Sequence, residues 1–259
     1  MVVGVDGCRN GWLAVARGGR ETEGRVFAKL ADLAVHYLDA ALVLIDIPIG
    51  LFDTGRQRRE CDADARRELG WPRSASVFPA PLRAALGAAG QREANASNLA
   101  AGGGGIGAHQ FGILAKIAET DQLLGGAASA APRLPPIREC HPEVCFWALN
   151  HRHAMEGSKK KPRGREERED VLRQHIDDFD EVLRVVRAQL VQSRDALNAP
   201  RPRSSRIKFQ MDDVLDALVA AVTAERGVAH QLLTLPAHPS LDVRSGLAME
   251  MVYWLPVGE

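Results

Sequence analysis

Leu42-Val43-Leu44-Ile45-Asp46-Ile47-Pro48 is the stretch that decides the fold class. A short continuous run of aliphatic residues reads as a strand buried on both faces, hence at the centre of a sheet. Pro48 ends it, because proline cannot donate to a sheet ladder. Asp46 is the anomaly. A carboxylate in such a place is costly unless it is paired or bound to a metal.

Working outward, residues 1–6 (MVVGVD) form a β-branched run that stops at the turn Gly7-Cys8-Arg9-Asn10-Gly11. Residues 12–17 and 25–28 read as two further strands, giving an antiparallel meander. Residues 32–38 read as a helix before the central strand. From 50 to 136 the pattern is mainly helical, with helices at 57–69, 81–89 and 110–124 and a flexible Ala/Gly-rich connector at 100–107. Residues 137–140 return to strand, 143–149, 180–190 and 211–226 to helix, and 249–255 to a closing strand. Residues 157–165 and 199–206 are polar, basic and broken by Pro or Gly, so they read as loops. This order predicts an α/β fold with a mixed sheet between helical layers. It reads as one domain over residues 1–259, with a helical insertion at 50–136 packed as a cap or side layer.

The bulk numbers are those of an ordinary water-soluble chain. It is 46% hydrophobic and 25% charged, and its 33 basic residues balance 33 acidic ones. No global positive field advertises a polyanionic partner, which leaves a local basic groove as the way to bind one. No apolar run reaches the length of a membrane span, and no signal peptide precedes the first strand. A cytoplasmic protein with free thiols at Cys8, Cys61, Cys140 and Cys145 is the expectation. Cys140-His141 with Cys145 lacks the second ligand pair that a zinc site needs. Gly102-x-Gly104-x-x-Gly107 follows no strand, so it reads as a loop and not as a dinucleotide fingerprint.

Asp46 has company. Asp6 closes the first strand, Glu139 lies on the strand at 137–140, and Asp213 and Asp216 lie in the helix beginning at Met211. The last two are spaced i, i+3 and share one helix face. Ala217 and Ala220 on that helix are small enough to let it sit close to a sheet, while Val214, Leu215, Leu218 and Val222 form its apolar side. Each acid also has a plainer reading. Asp before Gly forms turns, an Asp near a helix start caps it, a buried Asp can hold backbone amides, and Glu139 can pair with Arg138. If they converge, Asp6, Asp46, Glu139, Asp213 and Asp216 form a catalytic, metal-binding set for Mg²⁺ or Mn²⁺, both of which prefer hard oxygen ligands. A pair of such ions stabilises the attacking and leaving oxygens of a phosphoryl displacement.

Several segments resemble the DUF429 family, in order along nearly the whole chain. They are Val5-Asp6-Gly7-Cys8-x-x-Gly11-Trp12, Ile45-Asp46-Ile47-Pro48-Ile49-Gly50-Leu51, Cys61-Asp62-x-x-Ala65-Arg66-x-x-Leu69-Gly70 and Ser76-Val77-Phe78-x-x-Pro81. The stretch from Gln110 through Lys116 to Asp121, Glu139-Cys140-His141-Pro142-Glu143 and Asp212-Asp213-Val214-Leu215-Asp216-Ala217-Leu218 continue the match. The family is regarded as a predicted nuclease with a ribonuclease H-like fold. Asp213-x-x-Asp216-Ala217-Leu218 is also similar to the last motif of RuvC-type junction resolvases. The resemblance implies a mixed five-stranded sheet flanked by helices, with the helical insertion between strands four and five. It places Asp6 on strand one, Asp46 on strand four, Glu139 on strand five and Asp213/Asp216 on the final helix. RuvC-type enzymes carry Glu on strand four, whereas this chain has the shorter Asp46.

For the substrate, residues 158–165 carry five positive charges and no acid, Lys159 and Lys160 among them, and Arg206 belongs to a second basic cluster just before the acidic helix. Both suit phosphate contacts. The resemblance adds Arg59, Arg66, Gln110 and Lys116 from the insertion. A metal-dependent nuclease acting on DNA or RNA, structured or junction-like, is thus the leading reading. Two others stand beside it: a nucleotide-binding protein of the actin-like superfamily, whose Asp6-Gly7 would open a phosphate loop, and a non-catalytic binding protein that keeps the fold. Oligomeric state, a dimer included, is not legible here.

Overall fold

The computed structural model describes residues 1–19, 21–125 and 133–256; Arg20, residues 257–259 and residues 126–132, which the sequence assigns to the insertion, lie outside the described residues. The chain opens with β1 (Val2–Cys8), β2 (Gly11–Gly18), β3 (Glu21–Phe27), α1 (Leu30–His36) and β4 (Leu42–Ile45). Three helices follow, α2 (Glu60–Leu69), α3 (Gln91–Ala100) and α4 (Ala108–Gly125). Then come β5 (Ile137–Glu139), α5 (Pro142–Leu149), α6 (Pro162–Arg173), α7 (Phe179–Asn198) and α8 (Met211–His230), and last the short strands β6 (Leu233–Leu235) and β7 (Met251–Tyr253).

One compact unit consists of Met1–Asp46, Arg133–Leu233 and Val252–Glu259. Its sheet has the order β3-β2-β1-β4-β5, with β2 antiparallel to β1 and β3, and β4 parallel to both β1 and β5. This is the mixed five-stranded sheet flanked by helices that the ribonuclease H-like resemblance implies, with α2, α3 and α4 falling between strands four and five. Both sheet faces are apolar, as the unbroken aliphatic runs require. Val3, Val5, Trp12, Ala14, Val43 and Ile45 fill one face, and α1 packs against β2 and β3.

The other face carries α7 and α8, and its strand residues are chosen for closeness. Gly4, Val15 and Gly24 are register partners in one row across β1, β2 and β3. A methyl group on Gly4 would overlap the carbonyl oxygen of Ala217 and the amide nitrogen of Ala221 in α8. A methyl on Gly24 would press on the carbonyl of Val186 in α7. Two helices therefore rest backbone-first on strand glycines. On the α8 side the small residues Ala217, Ala220 and Ala221, all buried, make the approach possible. The helix starts at a capping box: the backbone N–H of Gln210 donates to Asp213 Oδ2 at 2.7 Å, and the Gln210 side chain accepts from the third helical residue.

The second unit consists of Ile47–Pro132 and Thr234–Met251. The latter segment has no helical or strand period over most of its length, which is why the sequence leaves it unassigned. Arg83 ties it in. Its guanidinium meets Asp53 at 2.7 Å, Asp121 at 2.9 Å and Asp242 at 2.5 Å. Burial would raise the Asp242 carboxyl, but Ser245, Arg83 and the amides of Arg244 and Leu51 hold it down, to about 2. The helix expected at 81–89 is absent and a single 3₁₀ turn, Arg83–Ala85, stands there. Its backbone donors are drawn elsewhere: Leu82 N–H to Asn98 Oδ1 at 2.8 Å and Arg83 N–H to the Phe52 carbonyl at 2.9 Å. The helix lies one step later, as α3. The basic loop expected at 157–165 likewise gives way to α6 from Pro162, since proline suits the first helical turn. Among the described residues no helix is long and apolar enough to cross a membrane.

Gly4→Ala is expected to lower stability by about 3 kcal/mol, since the added methyl meets helix backbone that cannot rotate away. A urea midpoint unchanged from wild type would contradict the close seat of α8.

Candidate metal centre

Two positions along β1 from Gly4, on the same face, lies Asp6. Beside it, just past the end of β4, lies Asp46, whose backbone N–H donates to the Val5 carbonyl at 3.0 Å. From above comes Asp216, the residue before Ala217 on α8. The seat of α8 on Gly4 thus brings carboxylates from two parallel strands and one helix within electrostatic reach of one another. Asp6 and Asp216 are buried, while Asp46 and Asp213 are half-buried. Asp6 is oriented by the Gly7 N–H, which donates to its Oδ1 at 2.7 Å. Asp213 has one oxygen committed to the Gln210 amide.

The acids feel one another. Burial pushes the Asp6 carboxyl well above its usual range, and Asp216, Asp46 and Asp213 push it further. Burial also raises Asp46, against the pull of His141 and Lys159. Asp216 is pushed up to about 7, first by burial, with Lys159 opposing and Asp46 and Glu143 adding to the rise. Such a cluster is held together only by cations or protons. Lys159 supplies a cation: its ammonium donates to Asp216 Oδ2. Burial would lower the Lys159 pKa, but Asp216, Asp6 and Asp46 raise it by more. Asp216 Oδ1 is buried with no hydrogen-bond partner. A buried carboxylate oxygen left open beside two further acids suits a hard divalent ion such as Mg²⁺ or Mn²⁺. Asp6, Asp46 and Asp216, with Asp213 at the edge, are the oxygen donors that could serve such an ion.

Glu139 is not brought to this face. It is the register partner of Ile45, so it leaves the sheet on the side opposite Leu44 and Asp46. Its neighbours in the same motif reach the acids instead. His141 and Glu143 both act on Asp46, and Glu143 also acts on Asp216. Glu143 is neutralised by the fully buried Arg168 at 2.5 Å. These partners escaped the sequence reading because helix α5 looks apolar, and a single Glu in its first turn reads as a dipole partner.

The other expected contacts divide. Lys159 belongs with the carboxylates, while Lys160 and Arg206 are exposed. Arg206 lies on the segment whose Lys208 forms a bridge with Arg9 at the β1–β2 turn, with both backbone hydrogen bonds made, at 3.0 and 3.1 Å. Arg59, Arg66, Gln110 and Lys116 belong to the second unit. Arg59 is buried there, donating to Cys61 Sγ at 2.9 Å. Arg66 holds a turn together, donating to the carbonyls of Ser74 and Val77. Gln110 lines a cavity of about 460 Å³ with Arg56, Arg58, Phe78 and the glycines 102–105, and Lys116 is half-buried on α4.

The raised Asp216 pKa fixes the sign of a pH effect. Between its ordinary value of 3.8 and about 7 the folded protein holds a proton that the unfolded chain releases. Stability from this group is complete below about 4 and is lost as pH rises through 7. In chelator, the melting temperature is expected to fall over that window by an amount worth a few kcal/mol, on the order of what such shifts carry. Asp216→Asn is expected to flatten the fall. An identical pH profile for the variant and wild type would contradict the assignment.

The family model described as Protein of unknown function (DUF429) matches residues 4–241. No curated protein and no solved structure matches the chain. The matched range spans the elements that carry every acid of the cluster, from β1 to α8. The chain belongs to the DUF429 family.

Proposed function

We propose that this protein is a metal-dependent hydrolase of phosphodiester bonds in nucleic acid. The observation that carries the reading is the mutual electrostatic reach of Asp6, Asp46 and Asp216, carried by two parallel strands and a buried helix, with a buried Asp216 oxygen that has no hydrogen-bond partner. Buried carboxylates that raise one another's pKa mark a candidate functional site. When bound there, Mg²⁺ or Mn²⁺ supplies a positive centre for phosphate oxygens.

The chain's own residues supply the rest. The Gly7 amide fixes the Asp6 carboxylate, and the capping box fixes Asp213. The Glu143–Arg168 pair stands within electrostatic reach of Asp46 and Asp216. Arg9, Arg206 and Lys208 are exposed at the end of the sheet where β1 turns into β2, just beyond Asp6. They suit a phosphodiester backbone running past that edge, a contact that weakens with salt. The paucity of aromatic residues among these cations argues against a stacking platform and for recognition through the backbone.

The test is cleavage of a panel of labelled single-stranded, duplex and branched DNA and RNA with Mn²⁺ or Mg²⁺. Wild type is expected to cut at least one class, and Asp6→Asn to lose activity by a factor of about 10² or more. Glu139→Gln is expected to keep Mn²⁺ binding that Asp216→Asn loses. Metal-independent cleavage, or no cleavage anywhere on the panel, would sink the proposal.

A further inference from the structure

The carboxylate cluster already contains a cation, and the chain is built to keep it there. Lys159 reaches Asp216 from the segment between α5 and α6, and that segment is pinned. The amides of Glu156 and Gly157 donate to the two oxygens of Glu167 at 2.6 and 2.8 Å. The Gly157 carbonyl accepts from Arg168 at 3.1 Å, and Arg168 also caps the Gly164 carbonyl at 2.5 Å. Gly157 and Gly164 lie backbone to backbone: a methyl group on either would collide with the other's segment. Lys161 N–H donates to the Ser158 carbonyl at 2.8 Å and closes the turn around Lys159. Lys160 and Lys161, its neighbours, are exposed. One lysine of a basic run is turned inward by a rigid turn, and the next two are left in water.

The occupancy of Asp216 follows. Its Oδ2 accepts from the Lys159 ammonium, and its buried Oδ1 has no hydrogen-bond partner. One oxygen of the carboxylate that joins the helix to the strands is thus left for a divalent ion, and the other is taken. From this geometry we infer that Lys159 occupies the place of a second ion, so that the centre takes one divalent cation per chain and not the pair expected from the sequence. The inference rests on the metal-dependent reading above and fixes its stoichiometry. The ammonium also makes the first ion easier to release, because it shares Asp216 with it.

The experiment is a count of bound Mn²⁺ per full-length chain by equilibrium dialysis with electron paramagnetic resonance of the free ion. Wild type and Lys159→Arg are expected to bind one ion, Lys159→Gln two, and Asp216→Asn none. In Lys159→Gln the first ion is expected to bind about tenfold more tightly, corresponding to about 1.4 kcal/mol. Two ions on wild type, or one on Lys159→Gln, would overturn the role of Lys159 and leave the metal-dependent reading standing. No Mn²⁺ on any form would overturn both. If Lys159→Gln does not fold, the wild-type count decides the question by itself.

Discussion

The contact on which the rest depends is between Gly4 and the backbone of α8. It exists because β1 offers a residue with no side chain at the point where the helix offers its smallest ones. Closeness here is geometrical leverage. Moving α8 outward by the thickness of a methyl group would carry Asp216, one residue from the contact, away from Asp6, two residues along the strand. Overpacking at such a point costs stability, and it also unmakes the cluster. Fold and site share one constraint.

The cluster in turn explains features that look unrelated. Burial and mutual repulsion raise Asp6, Asp46 and Asp216 together, so the fold carries a local penalty that a cation relieves. Lys159 relieves part of it, and the pinned turn from Glu156 to Lys161 is the means. Arg168, fully buried, serves two ends at once: it holds the Gly157 carbonyl of that turn and pairs with Glu143. A buried arginine so placed is worth more for orientation than for stability.

Much of this was legible in the sequence. The aliphatic run ending in Asp46, the Asp6 strand and the small-residue helix with Asp216 gave the central sheet, and the acids were suspect from their surroundings alone. What periodicity does not carry is side-chain direction at a strand end. Glu139 and Asp46 both close apolar runs, yet the parallel register turns them to opposite faces. The inward turn of Lys159 was equally hidden, since a basic run between helices reads as a solvated loop unless the backbone that pins it is known. In the second unit the missing helix at 81–89 has the same cause: its backbone donors are spent on Asn98 and Phe52, partners far away in sequence.

The most direct measurement is anomalous scattering from a crystal of the wild-type protein soaked in Mn²⁺. The account predicts one strong peak within about 2.0–2.6 Å of carboxylate oxygens of Asp6, Asp46 and Asp216, with the Lys159 ammonium beside it. A peak held by Glu139, or no peak among these acids at saturating Mn²⁺, would contradict it.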